Sequence, residues 1–230
     1  MRFFSSDYYV TYFLCIAAFI FALICSARVR STFAKYDRVR SKRAVQAWQV
    51  ARQILDNNGL YDITVTRTSV SLTDKFDPNA RTVYLSDSVY ASSSLAAIGV
   101  AAHECGHAIQ HSKGYLPIKI RSLLVPAAQL GSRAYFIVFF LGLIMNNELF
   151  VNAGIILFLF VVLFQLVTLP VEFNASSRAM RTLESELILD SDELPDARRT
   201  LSAAAMTYVA SLVVSVTQLL RLLARSRGRR

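Results

Sequence analysis

Charge is scarce in this chain. Asp, Glu, Lys and Arg make up 18% of its 230 residues, whereas a soluble domain carries about 25%. Apolar residues account for 54%, and mean hydropathy is +0.40. The few charges are gathered in a small number of places between long apolar runs. That pattern excludes an ordinary soluble domain and implies membrane spans. Histidine is scarcer still, with only three residues: His103, His107 and His111. Cysteine is as rare. Cys15 and Cys25 lie in or at the end of an apolar run and Cys105 stands apart, so these three thiols exclude a disulfide framework. No internal repeat or low-complexity linker is present, so any polar region contacts the apolar runs directly.

What charge there is leans basic, with a net +9. The basic residues sit beside apolar stretches rather than among aromatics on a polar patch. They therefore read as topological signals, and nucleic acid is not expected as a partner. Residues 8–27 form the first apolar run, long enough to cross a bilayer. The run is too long for the apolar part of a signal peptide, and no clean cleavage site follows it. Arg28, Arg30, Lys35, Arg38, Arg40, Lys42 and Arg43 come next and place this side in the cytoplasm, with the short N-terminus outside.

Residues 42–57 predict an amphipathic helix with Ser41 as N-cap. The runs 62–67, 70–73 and 82–86 are rich in Val, Ile, Thr and Tyr and are separated by turn signals, which predicts a small antiparallel meander. Ser92, Ser93 and Ser94 offer N-caps to a helix over 95–111, apolar nearly all round and hence buried, with Gly114 as its stop. Two spans follow, at 128–145 and 149–168, joined as a hairpin by Asn146-Asn147-Glu148, with Pro170 closing the second. The stretch 203–220 is apolar but partly amphipathic, and Arg221, Arg225, Arg227, Arg229 and Arg230 follow it. It fits either a span or a helix lying on the membrane surface. The expected organisation is a transmembrane helix at 8–27, a cytoplasmic region at 28–127, a transmembrane hairpin at 128–168, a charged segment with a helix at 169–201, and a membrane-associated or transmembrane helix with a basic tail at 202–230. The expected class is an α+β membrane protein.

The chemistry lies in His103-Glu104-Cys105-Gly106-His107. On a helix this spacing sets two imidazoles on one face, with Cβ atoms about 6 Å apart. Both rings can then reach one tetrahedral Zn²⁺, with Glu104 facing water in the open position. Such a zinc site needs a third ligand. His111 continues the stripe, but two helical turns carry it about 12 Å beyond His103, too far unless the helix breaks. Glu172 follows the return of the hairpin, so the topology delivers it to the same side of the membrane as the motif. It reads either as the third ligand or as an ordinary Glu at the end of a span. Cys105 faces away from the histidine stripe and reads as a small buried residue. Tyr115, Tyr208 and Arg178 are candidates to stabilise an oxyanion, with nothing to choose between them. The strand at 82–86, just before the motif helix, reads either as the strand that pairs with an extended substrate or as plain sheet core.

The string Ala101-Ala102-His103-Glu104-Cys105-Gly106-His107-Ala108-Ile109-Gln110-His111 resembles the YugP-like family of bacterial neutral zinc metallopeptidases. So do Leu72-Thr73-Asp74, Asp77-Pro78, Val83-Tyr84-Leu85-Ser86, Gly114-Tyr115-Leu116-Pro117 and Leu124-Val125-Pro126. Val167-Thr168-Leu169-Pro170-Val171-Glu172-Phe173 and Thr207-Tyr208-Val209-Ala210 extend the likeness over nearly the whole chain. The resemblance implies a membrane-bound zinc protease of the gluzincin type. It would have a small zincin-like catalytic domain, a short antiparallel sheet plus the motif helix, and one zinc ion held by His103, His107 and Glu172. Glu104 would be the general base. Two positions depart from the pattern: members of the family usually carry Asp where this chain has Asn174, and other gluzincins place Asp where it has Ser176.

The sequence thus leads to a multi-pass endopeptidase of the cytoplasmic membrane. Its active site would face the cytoplasm, with a peptide or membrane protein as substrate and the lipid bilayer as a second partner. Two other classes are a non-catalytic membrane scaffold that keeps the motif helix, and a membrane-surface adaptor that uses the basic segments 28–43 and 221–230.

Overall fold

The computed structural model describes residues 6–69 and 73–227. The elements in chain order are α1 (Ser6–Tyr36), α2 (Ala47–Asn57), β1 (Thr64–Thr68), β2 (Lys75–Asp77), β3 (Thr82–Ser86), α3 (Asp87–Tyr90), α4 (Leu95–Ser112), α5 (Leu116–Ile144), α6 (Glu148–Ser185) and α7 (Leu194–Arg227). The protein is mostly helical. Among the described residues, four helices are long and apolar enough to cross a membrane: α1, α5, α6 and α7. The chain divides into two compact units.

One unit comprises Met1–Ser26, Lys119–Leu169 and Thr207–Arg230. Within it α5 and the first part of α6 form the expected hairpin, reversing at Asn146, whose φ is 53°. Small residues let the two helices touch. A Cβ on Gly154 would come within 2.7 Å of the Phe139 side chain, and one on Gly142 within 2.5 Å of the Val151 nitrogen. Such glycine contacts are the usual way for helices in lipid to gain dispersion energy. Phe139, Val151, Phe158, Val162 and Leu222 fill the centre of this unit.

The other unit comprises Ala27–Ile118 and Pro170–Met206. Its core gathers Val50, Ile54 and Leu55 of α2, Val83 and Leu85 of β3, Leu95 and Ile98 of α4, and Leu183, Leu189 and Leu201. At the centre lies α4, buried nearly all round as its composition predicts. Ser94 caps it by accepting from the Ala97 N–H at 3.1 Å, and Gly114, at φ 62°, follows its end.

Three expectations are corrected. The sheet is mixed, in the order β1-β3-β2: β1 runs parallel to β3 (Thr64 opposite Thr82), and β2 runs antiparallel to it (Phe76 opposite Val83). A meander would have put the second strand in the middle. Here β3, the most buried strand, takes that place and is flanked on both sides. Of the strand expected at 70–73, residues 70–72 lie outside the described residues and Thr73 is not in a strand; the second strand stands at 75–77 instead. The helix expected from residue 42 begins at Ala47, because Ala44 adopts a left-handed φ of 52°. Gln46 then takes the N-cap position, where its N–H donates to the Gln49 side chain, and Ser41 is buried instead. The helices that contain the two expected spans are longer than the spans: α5 begins at Leu116, and α6 runs on through Pro170 to Ser185.

Candidate metal centre

Two helices build the centre. α4 presents His103 and His107 one turn apart, with ring centroids 4.7 Å from each other and planes nearly perpendicular at 87°. α6 presents Glu172 two residues after Pro170. The helices approach closely because Gly106 carries no side chain: a Cβ there would sit 2.7 Å from the Ala175 carbonyl oxygen. Glu172, one turn before Ala175, therefore reaches both rings.

The three donor atoms form a compact triangle. His103 Nε2 lies 3.1 Å from His107 Nε2 and 3.3 Å from Glu172 Oε2, and His107 Nε2 lies 3.6 Å from the same oxygen. Ligands at 2.0–2.1 Å from a tetrahedral Zn²⁺ are separated by about 3.3 Å, so the triangle has the size of one face of such a tetrahedron. Glu172 is only 2% exposed, and it is the one carboxylate among the three groups. Burial works against a charged ring at His107. The neighbouring Glu172 carboxylate and the charge of Glu104 outweigh it and raise the His107 pKa above the ordinary histidine value.

Neither histidine is left to rotate. Gln110, fully buried, sets His107. Its Nε2 donates to the Val171 carbonyl at 2.8 Å and to Asn174 Oδ1 at 3.0 Å. Two acceptors on one side fix which end of the amide is nitrogen, so Oε1 faces His107 Nδ1 at 3.1 Å and can only accept. Nδ1 of His107 must then carry the proton, which leaves a lone pair on Nε2, toward the centre. His103 Nδ1 lies 3.1 Å from Ser176 Oγ. The two positions that depart from the family pattern, Asn174 and Ser176, thus both take part in supporting the rings. Arg178 Nε donates to Asn174 Oδ1 at 2.7 Å and so stands at the far end of this chain of bonds.

Glu104 is 9% exposed, and its Oε2 accepts the Phe76 backbone N–H at 2.9 Å. Phe76 lies on β2, whose partner on one side is β3. β3 itself pairs on both edges, so of the two readings of 82–86 the structure favours sheet core. Cys105 is fully buried beside Ala51, its thiol 3.5 Å from the Ala51 carbonyl. Burial, and secondarily the charge of Glu104, pushes the thiol pKa far up, so it is not poised as a thiolate ligand. His111 lies on the unbroken end of α4, exposed and edge-on to Phe76 with centroids 6.0 Å apart. It is not one of the converging groups. Gln110 and the Phe76 N–H escaped the sequence reading. A signal existed for Gln110, a polar residue three positions after His107 on a helix that is mostly apolar outside the motif.

A His/His/Glu triangle on two helices, its carboxylate buried and its rings partly so, has the donor set of a metal site, in a chain with four helices apolar enough to cross a membrane. Comparison agrees. Residues 11–227 match the profile of a family described as "Putative neutral zinc metallopeptidase", and the chain belongs to that family. It is 43% identical over 209 residues to the "Putative membrane protease YugP" of Bacillus subtilis (strain 168), an alignment that covers 91% of this chain and 93% of that protein. No solved structure matches the chain.

Proposed function

We propose that the protein is a membrane-embedded zinc endopeptidase that hydrolyses peptide bonds, with a zincin-like catalytic region facing the cytoplasm of a multi-pass protein. The observation that carries this is the triangle of His103, His107 and Glu172 donor atoms, sized for one tetrahedral cation, with Glu104 beside it on α4. When bound, Zn²⁺ supplies a Lewis acid for the scissile carbonyl and acidifies water. The rest of the work falls to the chain. His103, His107 and Glu172 would hold the ion and leave one position open. Gln110 and Ser176 keep the two Nε2 atoms aimed. The Phe76 N–H ties down Glu104 Oε2 and leaves Oε1 to take a proton from the attacking water and pass it to the leaving amine nitrogen.

Metal analysis of purified protein tests the ligand set. Wild type is expected to carry one zinc, and His103→Ala and Glu172→Ala to carry little. Metal-free wild type would sink the reading. Glu104→Gln is expected to keep its zinc and lose cleavage of a casein or membrane-protein substrate by about 10²-fold or more. Proteolysis at the wild-type rate in that variant would remove Glu104 from the mechanism.

A further inference from the structure

A groove of 380 Å³ runs between α6 and α7 in the unit that holds the donor triangle, and Ser176, which supports His103, and Phe173, next to Glu172, are among its lining residues. Its floor includes Met180, Leu201 and Ala205, all buried, and its rim carries Arg181, Arg198 and Glu184, all exposed. The volume is that of a small-molecule site. Its polarity is ordered along the chain. α6 enters from the apolar run at 149–168 and reaches Arg181 and Glu184 only later. α7 starts near Arg198 and reaches Ala205 as its own apolar run begins. The charged end therefore lies at the ends of both helices farthest from the apolar runs. Among the described residues, neither Arg181 nor Arg198 makes a salt bridge. Arg181 Nε donates only to its own helix, at the Ser177 carbonyl.

We propose that this groove binds a glycerophospholipid, with one acyl chain on the apolar floor and the phosphate against Arg181 and Arg198. Guanidinium groups match phosphate oxygens in geometry and charge. Glu184 on the same rim favours a head group with a free ammonium over one with surplus negative charge, so phosphatidylethanolamine should be preferred to phosphatidylglycerol. The walls are two α-helices whose backbone groups bond internally, so they offer an extended peptide no main-chain partners. A lipid needs none.

Full-length protein in detergent micelles would be offered equal amounts of phosphatidylethanolamine, phosphatidylglycerol and diacylglycerol with the same chains, and retained lipid counted by native mass spectrometry. Phosphatidylethanolamine is expected to be retained about tenfold over diacylglycerol. Arg181→Ala with Arg198→Ala should erase that preference, and Arg181→Lys with Arg198→Lys should keep part of it. Glu184→Gln should move selection toward phosphatidylglycerol, and Ala205→Trp, which fills the floor, should lower retention of all three. Equal retention of diacylglycerol and phospholipid by wild type would overturn the proposal. So would unchanged selectivity in the double Arg→Ala variant, or undiminished retention in Ala205→Trp.

Discussion

A buried side-chain amide has two donors and two acceptor sites to satisfy, and Gln110 satisfies them in a way that fixes the proton on His107. Its nitrogen is spoken for by Val171 and Asn174, so its oxygen must meet a donor. Gln110→Leu keeps the size of the side chain and removes this control. We expect zinc affinity to fall about 10- to 100-fold, as for other supports of zinc-bound histidines, measured by competition with a chromophoric chelator. Affinity equal to wild type would show that His107 keeps its orientation by packing alone. At this scale the sequence was informative about the groups that point inward. The i, i+4 histidine pair and its Glu are local facts, legible from helical spacing. The supports are contacts across 61 and 73 residues of chain (Gln110 to Val171, Ser176 to His103), and no local pattern announces such a contact. Asn174 and Ser176 looked like gaps when compared with family expectation. A hydroxyl and an amide nevertheless stand in the chain of hydrogen bonds around the two rings.

Between elements, the decisive contact is Gly106 of α4 against Ala175 of α6. Gly106→Ala would press a methyl group onto a backbone carbonyl, which cannot rotate away as a side chain could. The helices must separate by a fraction of an ångström. The expected cost is about 1–3 kcal/mol of stability, read by chemical denaturation, together with reduced zinc content, because Glu172 moves with α6. A variant with unaltered melting and metal would show that the crossing has slack. The helices were legible from apolar periodicity, and α4 was placed almost to the residue, with Ser94 the one of three candidate serines that caps it. The sheet was not. Three short strands permit several orders: β3, the most buried, occupies the middle, with β1 parallel to it on one side and β2 antiparallel on the other. Pro170 removes one helical hydrogen bond, yet α6 continues through it, so the segment at 149–168 and the helix that carries Glu172 are one element.

At the scale of the molecule, the four apolar helices set the question of sidedness. The basic cluster after α1 argues for a cytoplasmic motif region, and the hairpin then puts its turn on the opposite side. A reporter fused at Asn147 should therefore be active outside the cytoplasm, and a cytoplasmic signal there would break the proposed topology. A second fusion at the C-terminus distinguishes the two readings of 203–220: an external signal means that α7 spans, and a cytoplasmic one that it lies along the surface. Composition made the membrane class legible at once. It could not decide α7, whose apolar and polar faces satisfy both readings.

The supports of the two histidines contain a hydroxyl and an amide, and neither ionises in the range where proteins are folded. A histidine backed by a carboxylate shares its titration with that partner, because each charge shifts the pKa of the other. In this chain Ser176 and Gln110 have no such charge to lose. Acid release of a bound cation should then be governed by the ligands and by the Glu104 charge beside them, with no contribution from these two supports. Ser176→Asp would add a further titrating partner and broaden the pH range of that release.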